Sequence, residues 1–171
     1  MAEAMMRVLT MLLCCYGAVC EAEPDAANSP HIIVAAKNLA SEGAQATERR
    51  QIFLLYVSRP QCPYCAALEK EVLMPMLKNS SKIAKIHLRE LSWDAAGVID
   101  FQGRERNASD LIEQFAIPGA PTLLFLDGSG RELAPSIVGY YSRDFYWVYF
   151  ERAVAQAYAL VADKAQKKAA H

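Results

Sequence analysis

Residues 52–65 read Ile52-Phe53-Leu54-Leu55-Tyr56-Val57-Ser58-Arg59-Pro60-Gln61-Cys62-Pro63-Tyr64-Cys65, and this stretch decides the fold. Its first half is short, continuous and apolar and stops at Ser58-Arg59-Pro60, the pattern of a strand buried on both faces. A helix is expected to start at Cys62-Pro63, because proline suits the first helical turn and its missing N–H costs nothing there. Strand, turn and helix N-terminus thus deliver two cysteines to a place where unpaired N–H groups and the helix dipole favour negative charge. That environment favours the Cys62 thiolate and makes Cys62 the candidate nucleophile toward a disulfide. Cys65, one turn further in, is the candidate resolving thiol that clears the mixed disulfide. Pro63 fixes the first-turn dihedral and Tyr64 borders the sulfur, so both are candidate redox-tuning positions.

Two other chemistries use the same spacing. A C-x-x-C pair can be half of a zinc site, but no second pair remains once the leader described below is set aside, so no metal is expected. The pair can also be a static structural disulfide, although closing so short a loop gains little chain entropy. The strand before the pair and the proline within it favour a redox pair.

Working outward, Ile32, Ile33, Ala36, Leu39 and Ala40 recur at helical spacing and predict a helix from Ile32 to about Arg50. Ala66, Leu68, Val72 and Leu73 would face the core until Pro75 bends or interrupts the dithiol helix. Ile83 to Leu91 reads as a second strand, and Trp93 to Arg106 as a polar excursion. A short helix capped by Ser109 or Asp110 then carries Leu111, Ile112 and Phe115. Thr122 to Leu126 predicts a strand, Asp127-Gly128-Ser129-Gly130 a hairpin turn, and Arg131 to Val138 the antiparallel return. Ser142 opens a long helix to about Asp163, on which Phe145, Val148 and Tyr149 are expected to pack on the sheet. The result is an α/β chain: a central mixed sheet with helices on both faces.

A second candidate element is Ala120-Pro121-Thr122. Proline is tolerated at the first residue of a strand, and a cis peptide bond there would turn the chain toward the dithiol. The backbone at Ala120 could then pair with an extended substrate, so Ala120 and Pro121 are candidate substrate-binding residues.

The chain has 171 residues, 18 Lys+Arg against 19 Asp+Glu, and five cysteines. The near-neutral balance provides no basic stripe, so nucleic acid is not an expected partner. Residues 1–22 read as an export leader: Arg7, then the apolar stretch Val8 to Val19, then small residues at Ala18, Cys20 and Ala22. A lipid anchor is disfavoured, because Val19 precedes Cys20 and Leu13 precedes Cys14 where a small residue is wanted. A polar lead-in (23–30), one domain (31–163) and a frayed tail (164–171) complete the expected organisation. Removing the leader takes Cys14 and Cys15 with it and leaves Cys62 and Cys65 in an oxidising compartment, with the fate of Cys20 set by the cleavage site.

Val57 through Cys65, Ile117-Pro118-Gly119-Ala120-Pro121-Thr122, the Asp127–Gly130 turn and Val138-Gly139 together resemble the thioredoxin superfamily. The chain is most similar to bacterial periplasmic thioredoxin-related proteins, including those found with sulfur-oxidation systems. These share the C-P-Y-C, Leu68, Glu69-Lys70-Glu71-Val72, Asp100-Phe101-x-Gly103 and Gly139-Tyr140. The resemblance implies a thioredoxin fold and a periplasmic thiol–disulfide oxidoreductase that reduces disulfides of proteins or small molecules. It implies no cofactor, a membrane-embedded thiol transporter as electron donor, and a monomer. An oxidase or isomerase of the same fold, and a non-catalytic binding module with a static Cys62–Cys65 disulfide, are the alternatives. Two positions depart from thioredoxins proper. Gln61 stands where they carry tryptophan, and Tyr56 stands where they bury an acid. With that carboxylate missing, no internal proton acceptor for Cys65 is evident, and water or another group would have to serve.

Overall fold

In the computed structural model, which describes residues 33–169, all seven residues of β1 (Ile52–Ser58) are buried. The expected leader, the lead-in at 23–30 and Cys14, Cys15 and Cys20 lie outside the described residues. β1 pairs in parallel with β2 (Ile86–Ser92) on one side. On the other it pairs antiparallel with β5 (Thr122–Leu126), which pairs antiparallel with β6 (Glu132–Val138). The main sheet therefore runs β2-β1-β5-β6 and is mixed.

Strand alternation sends β1 into two cores. Ile52, Leu54 and Tyr56 join a cluster with Cys62, Cys65, Leu68, Val72, Met76 and Phe150. Phe53, Leu55 and Val57 join a second with Leu39, Ala46, Leu91, Leu111, Ile112 and Leu124. The first face is covered by the dithiol helix and α6 (Arg143–Ala169), the second by α1 (Leu39–Glu48) and α5 (Ala108–Gln114). Burial of a large apolar side chain contributes about 1.5–3 kcal/mol, so β1 organises both cores at once.

Several boundaries differ from the sequence expectation. The helix expected from Ile32 starts only at Leu39, where the Asn38 side chain accepts the Ser41 N–H at 2.9 Å. The residues before it are extended: Ala35 bridges to Glu90 and Asn38 to Ile99, so the segment lies along the edge of β2. Three apolar residues at helical spacing did not outweigh that cap and edge pairing. Ser80–Ile83 forms a helical turn, α4, capped by Asn79, so β2 begins at Ile86 rather than Ile83. The excursion holds a small hairpin of β3 (Val98–Ile99) and β4 (Glu105–Arg106), knotted by the buried Asp100 carboxylate. That carboxylate accepts the Gln102 and Arg104 N–H groups and the Arg104 guanidinium, each at 2.9 Å. The α5 cap is Asn107, whose N–H donates to Asp110 at 3.2 Å; Ser109 and Asp110 lie inside the first turn.

The last helix turns the other way from the expected face. Tyr146, Phe150, Ala153 and Ala157 are buried, whereas Phe145, Val148 and Tyr149 are 61, 58 and 44% exposed. Its phase is set by Tyr146 against Tyr140 (5.4 Å between ring centroids) and Phe150 against Phe125 (6.0 Å). Ala153 and Ala157 then let the helix approach the sheet closely. The helix also passes the expected end at Asp163: Lys164 reaches the Asp127 carboxylate at 2.7 Å, and helix continues to Ala169.

Two close fits have measurable consequences. Gly43 of α1 lies against Gly128 of the β5–β6 turn, and a Cβ at Gly43 would collide with the Gly128 carbonyl. Gly43→Ala should therefore cost about 2 kcal/mol in urea unfolding, overpacking outweighing alanine's better helix propensity; an unchanged midpoint would contradict this contact. His87, buried in β2 and stacked on Phe53 at 5.4 Å, has its pKa lowered to about 4, by burial first and then by Arg89 and Arg49. The unfolded chain takes up that proton near pH 6.5 and the folded chain only near pH 4, so stability falls as pH drops through this window. The expected loss is about 3 kcal/mol. It appears as a falling urea midpoint between pH 6.5 and 4.5, and His87→Leu should flatten that slope.

Candidate functional site

The site forms where β1 ends. The register Val57↔Thr122 sets the loop from Ser58 to Cys62 beside the start of β5. Thr122 pairs with Val138 on its other side, and the Gly139 N–H donates to the Pro121 carbonyl at 2.8 Å. Three chain segments distant in sequence (58–65, 119–122 and 138–141) therefore meet at one end of the sheet.

Cys62 is the N-cap of α2 (Pro63–Leu68), with extended backbone at φ −99° and ψ 103°. Its Sγ accepts the Cys65 N–H at 3.1 Å, the role a serine or aspartate oxygen usually plays at a cap. Pro63 occupies the first helical position, so its missing N–H leaves nothing unsatisfied. The two sulfurs form a disulfide with Cα atoms 5.2 Å apart. Both cysteines are buried, Cys62 slightly less than Cys65 at 8 against 3% exposure. Tyr64 is 63% exposed and stands at the rim.

The Ala120–Pro121 peptide bond is cis. Pro121 is buried, and Ala120 packs against the cluster that contains both cysteines. The Thr122 hydroxyl donates to the Gly119 carbonyl at 2.7 Å and ties this turn to the strand behind it. All six residues singled out from the sequence (Cys62, Pro63, Tyr64, Cys65, Ala120 and Pro121) are thus brought to one end of the sheet.

The dithiol helix does not break at Pro75. It widens into a π turn, Glu69–Leu73, in which the Met74 N–H reaches the Glu69 carbonyl, and resumes as α3 (Met74–Leu77). Proline lacks an N–H and clashes with the carbonyl four residues back; the wider turn absorbs both. Two tyrosine hydroxyls hold this turn: Tyr56 donates to Glu69 at 2.8 Å, and Tyr140 donates to Glu71. Burial, then the bond to Glu69, push the Tyr56 phenol far above its usual range. Tyr140 rises to about 12 from burial and its bond to Glu71.

An open cleft of about 450 Å³ runs beside the disulfide, lined by Cys62, Cys65, Arg59, Glu69, Glu90 and the start of the helix. The sequence reading named Glu69 only as part of the family resemblance, without a role at the site, and did not single out Glu90. The signal available for Glu69 was its spacing, four residues beyond Cys65 and so on the same helix face; Glu90 could be found only from the Tyr56↔Glu90 register. A larger pocket, about 610 Å³, lies at the far end of the sheet beside Asp127 and Lys164, away from the cysteines. Among the described residues no His, Cys, Asp and Glu side chains converge as a metal-binding group.

Such a site can exchange disulfides. It holds a sulfur at a helix N-terminus, a second sulfur buried behind it and the half-buried Ala120, before the cis bond, packed against the cluster that contains both.

Several solved structures and one family model are similar to this chain. The periplasmic thioredoxin SoxS from Paracoccus pantotrophus is 22% identical, covering 63% of this chain and 99% of its own, with a TM-score of 0.43. A thioredoxin from Thermus thermophilus is 16% identical over 74% of this chain and 91% of its own, with a TM-score of 0.51. The C-terminal domain of Neisseria meningitidis DsbD is 11% identical over 67% and 90%, with a TM-score of 0.47. At 16% identity the likeness to the Thermus thermophilus thioredoxin is one of fold. No curated protein sequence matches the chain. Residues 39–153, 115 of the 171, match the family model described as a thioredoxin-like domain, and the chain belongs to that family.

Proposed function

We propose that this protein is a thiol–disulfide oxidoreductase that reduces disulfides of proteins or small molecules through Cys62 and Cys65. The observation that carries the reading is the cap: Cys62 Sγ terminates α2 and receives the Cys65 N–H, with Cys65 more deeply buried behind it. Negative charge on Cys62 is favoured there by the helix N-terminus. The Cys62 thiolate attacks a substrate sulfur and one substrate thiol leaves. Cys65 then attacks Cys62, closing the Cys62–Cys65 disulfide and releasing the second thiol, so two electrons pass to the substrate. An external dithiol restores the reduced pair. Ala120 offers its backbone to an extended substrate and Pro121, through its cis bond, sets the direction of that residue, while Pro63 and Tyr64 tune and border the reactive sulfur. We place the reaction in the periplasm, on the strength of the apolar leader at Val8 to Val19, with a membrane thiol transporter as the donor.

Reduction of insulin disulfides by the full chain in the presence of dithiothreitol tests this function. Turnover should depend on Cys62, with Cys62→Ser losing at least about 1,000-fold, the scale on which nucleophile removal acts. Cys65→Ser should accumulate mixed disulfides through Cys62, and mass spectrometry of the trapped species names the substrates. Equilibration with glutathione should give a potential nearer the thioredoxin value of about −270 mV than the strong-oxidant value of about −120 mV. A value at the oxidising end would favour an oxidase. An unreactive Cys62 would favour a static disulfide in a binding module.

A further inference from the structure

An extended substrate can meet the Cys62 sulfur and the Ala120 backbone together only if the gap between two chain segments is held. One segment is the dithiol helix. The other is the turn at 119–122, backed by residues 138–141 through the Gly139 N–H, which donates to the Pro121 carbonyl at 2.8 Å. One side chain joins the two. Tyr140 follows Gly139 in the chain, enters the cluster that contains Cys62 and Cys65, and donates its hydroxyl to Glu71 on the π turn of the dithiol helix. A continuous path of bonds therefore runs from Glu71 through Tyr140 and Gly139 to the carbonyl of Pro121, beside the cis bond.

We propose that Tyr140, held by Glu71, is a positioning residue that sets the gap between Cys62 and the Ala120 backbone. The use of extended polypeptide disulfides depends on that gap, whereas exchange with a small disulfide needs only the sulfurs. This role rests on the oxidoreductase reading above and adds to it a determinant of substrate class.

The surroundings single out Tyr140. The Tyr56 hydroxyl also holds the π turn, but it rises from β1 beneath the same helix and bonds to Glu69. Tyr146 packs on the Tyr140 ring at 5.4 Å, yet its own hydroxyl is buried without a hydrogen-bond partner, so it supports the ring and makes no tie of its own. Burial first, then the bond to Glu71, raise the Tyr140 phenol to about 12, which keeps it a donor at neutral pH. The rest of the segment is weakly attached. Gly139 turns the chain at φ 79°, a conformation open to glycine, and Tyr141 beyond it is 91% exposed. Without the Tyr140 hydroxyl, the Gly139–Pro121 bond is the one hydrogen bond left to hold residues 139–141 among the described residues.

The test uses the reduced full chain, freed of dithiothreitol, mixed with insulin or with hydroxyethyl disulfide, a small substrate without a peptide backbone. The half-saturating concentration and the limiting rate are read for Tyr140→Phe, Glu71→Ala, Glu71→Gln and the Tyr140→Phe/Glu71→Ala pair. Tyr140→Phe keeps the ring and should raise the half-saturating insulin concentration about 10-fold, the scale of one hydrogen bond to a charged group. Its limiting rate, and both constants for hydroxyethyl disulfide, should stay within a few-fold. Glu71→Ala should match Tyr140→Phe, the pair should lose no more than either alone, and Glu71→Gln, which still offers an acceptor oxygen, should recover most of the loss. Unchanged insulin constants in Tyr140→Phe overturn the proposal. An equal loss with both substrates overturns it too, as the mark of a merely structural role, and so do additive losses in the pair.

A second readout needs no turnover: amide hydrogen exchange at Gly139, followed by NMR, should be about 10-fold faster in Tyr140→Phe than in the wild type. A wild-type chain inert toward hydroxyethyl disulfide sinks the oxidoreductase reading. The tie itself is still decided there by Gly139, whose unmoved exchange overturns it and whose faster exchange supports it. If Tyr140→Phe does not fold, Glu71→Ala carries the same measurements.

Discussion

The pairing of β1 with β5 in the register Val57↔Thr122 is the constraint on which the site depends. Because β1 is buried on both faces, it cannot slide by one residue without exchanging Phe53, Leu55 and Val57 for Ile52, Leu54 and Tyr56 between two different cores. A slip would also carry the Ser58–Cys62 loop away from Ala120 and Pro121. The same burial that stabilises the sheet therefore aligns the nucleophile with the backbone edge beside it.

From that register the helix N-terminus follows. Cys62 is the first residue past the strand able to cap a helix, and Pro63 starts the helix without losing a hydrogen bond. Twelve residues later Pro75 would break an ordinary α-helix, but the π turn carries the chain past it and swings Glu69 and Glu71 onto Tyr56 and Tyr140. One proline opens the reactive helix, and another accompanies the turn that brings a carboxylate beneath it.

Much of this was legible in residues 52–65 and 117–122. An unbroken apolar run, a proline after a cysteine and a proline opening a strand each have one economical backbone solution. The two-faced sheet followed from the order of such segments. Where the reading missed, the cause was tertiary. Ile32, Ile33 and Ala36 have helical spacing, yet residues 34–38 lie extended because β2 offers unpaired backbone at Glu90 and Asn38 caps the helix after them. The buried face of α6 was misjudged because six consecutive large residues satisfy either phase. Tyr140 and Phe125 chose one of them.

The sequence by itself determined that a strand ends in a capped dithiol helix, since hydrophobic periodicity and the dihedral limits of proline act within a few residues. Only the tertiary structure decided what surrounds Tyr56. Tyr56 reads as a missing acid, and the carboxylates near it come from the helix and the neighbouring strand, 13 residues from Tyr56 in one case and 34 in the other. Hydrogen bonds and strand register between distant segments create that environment, and no local pattern encodes them.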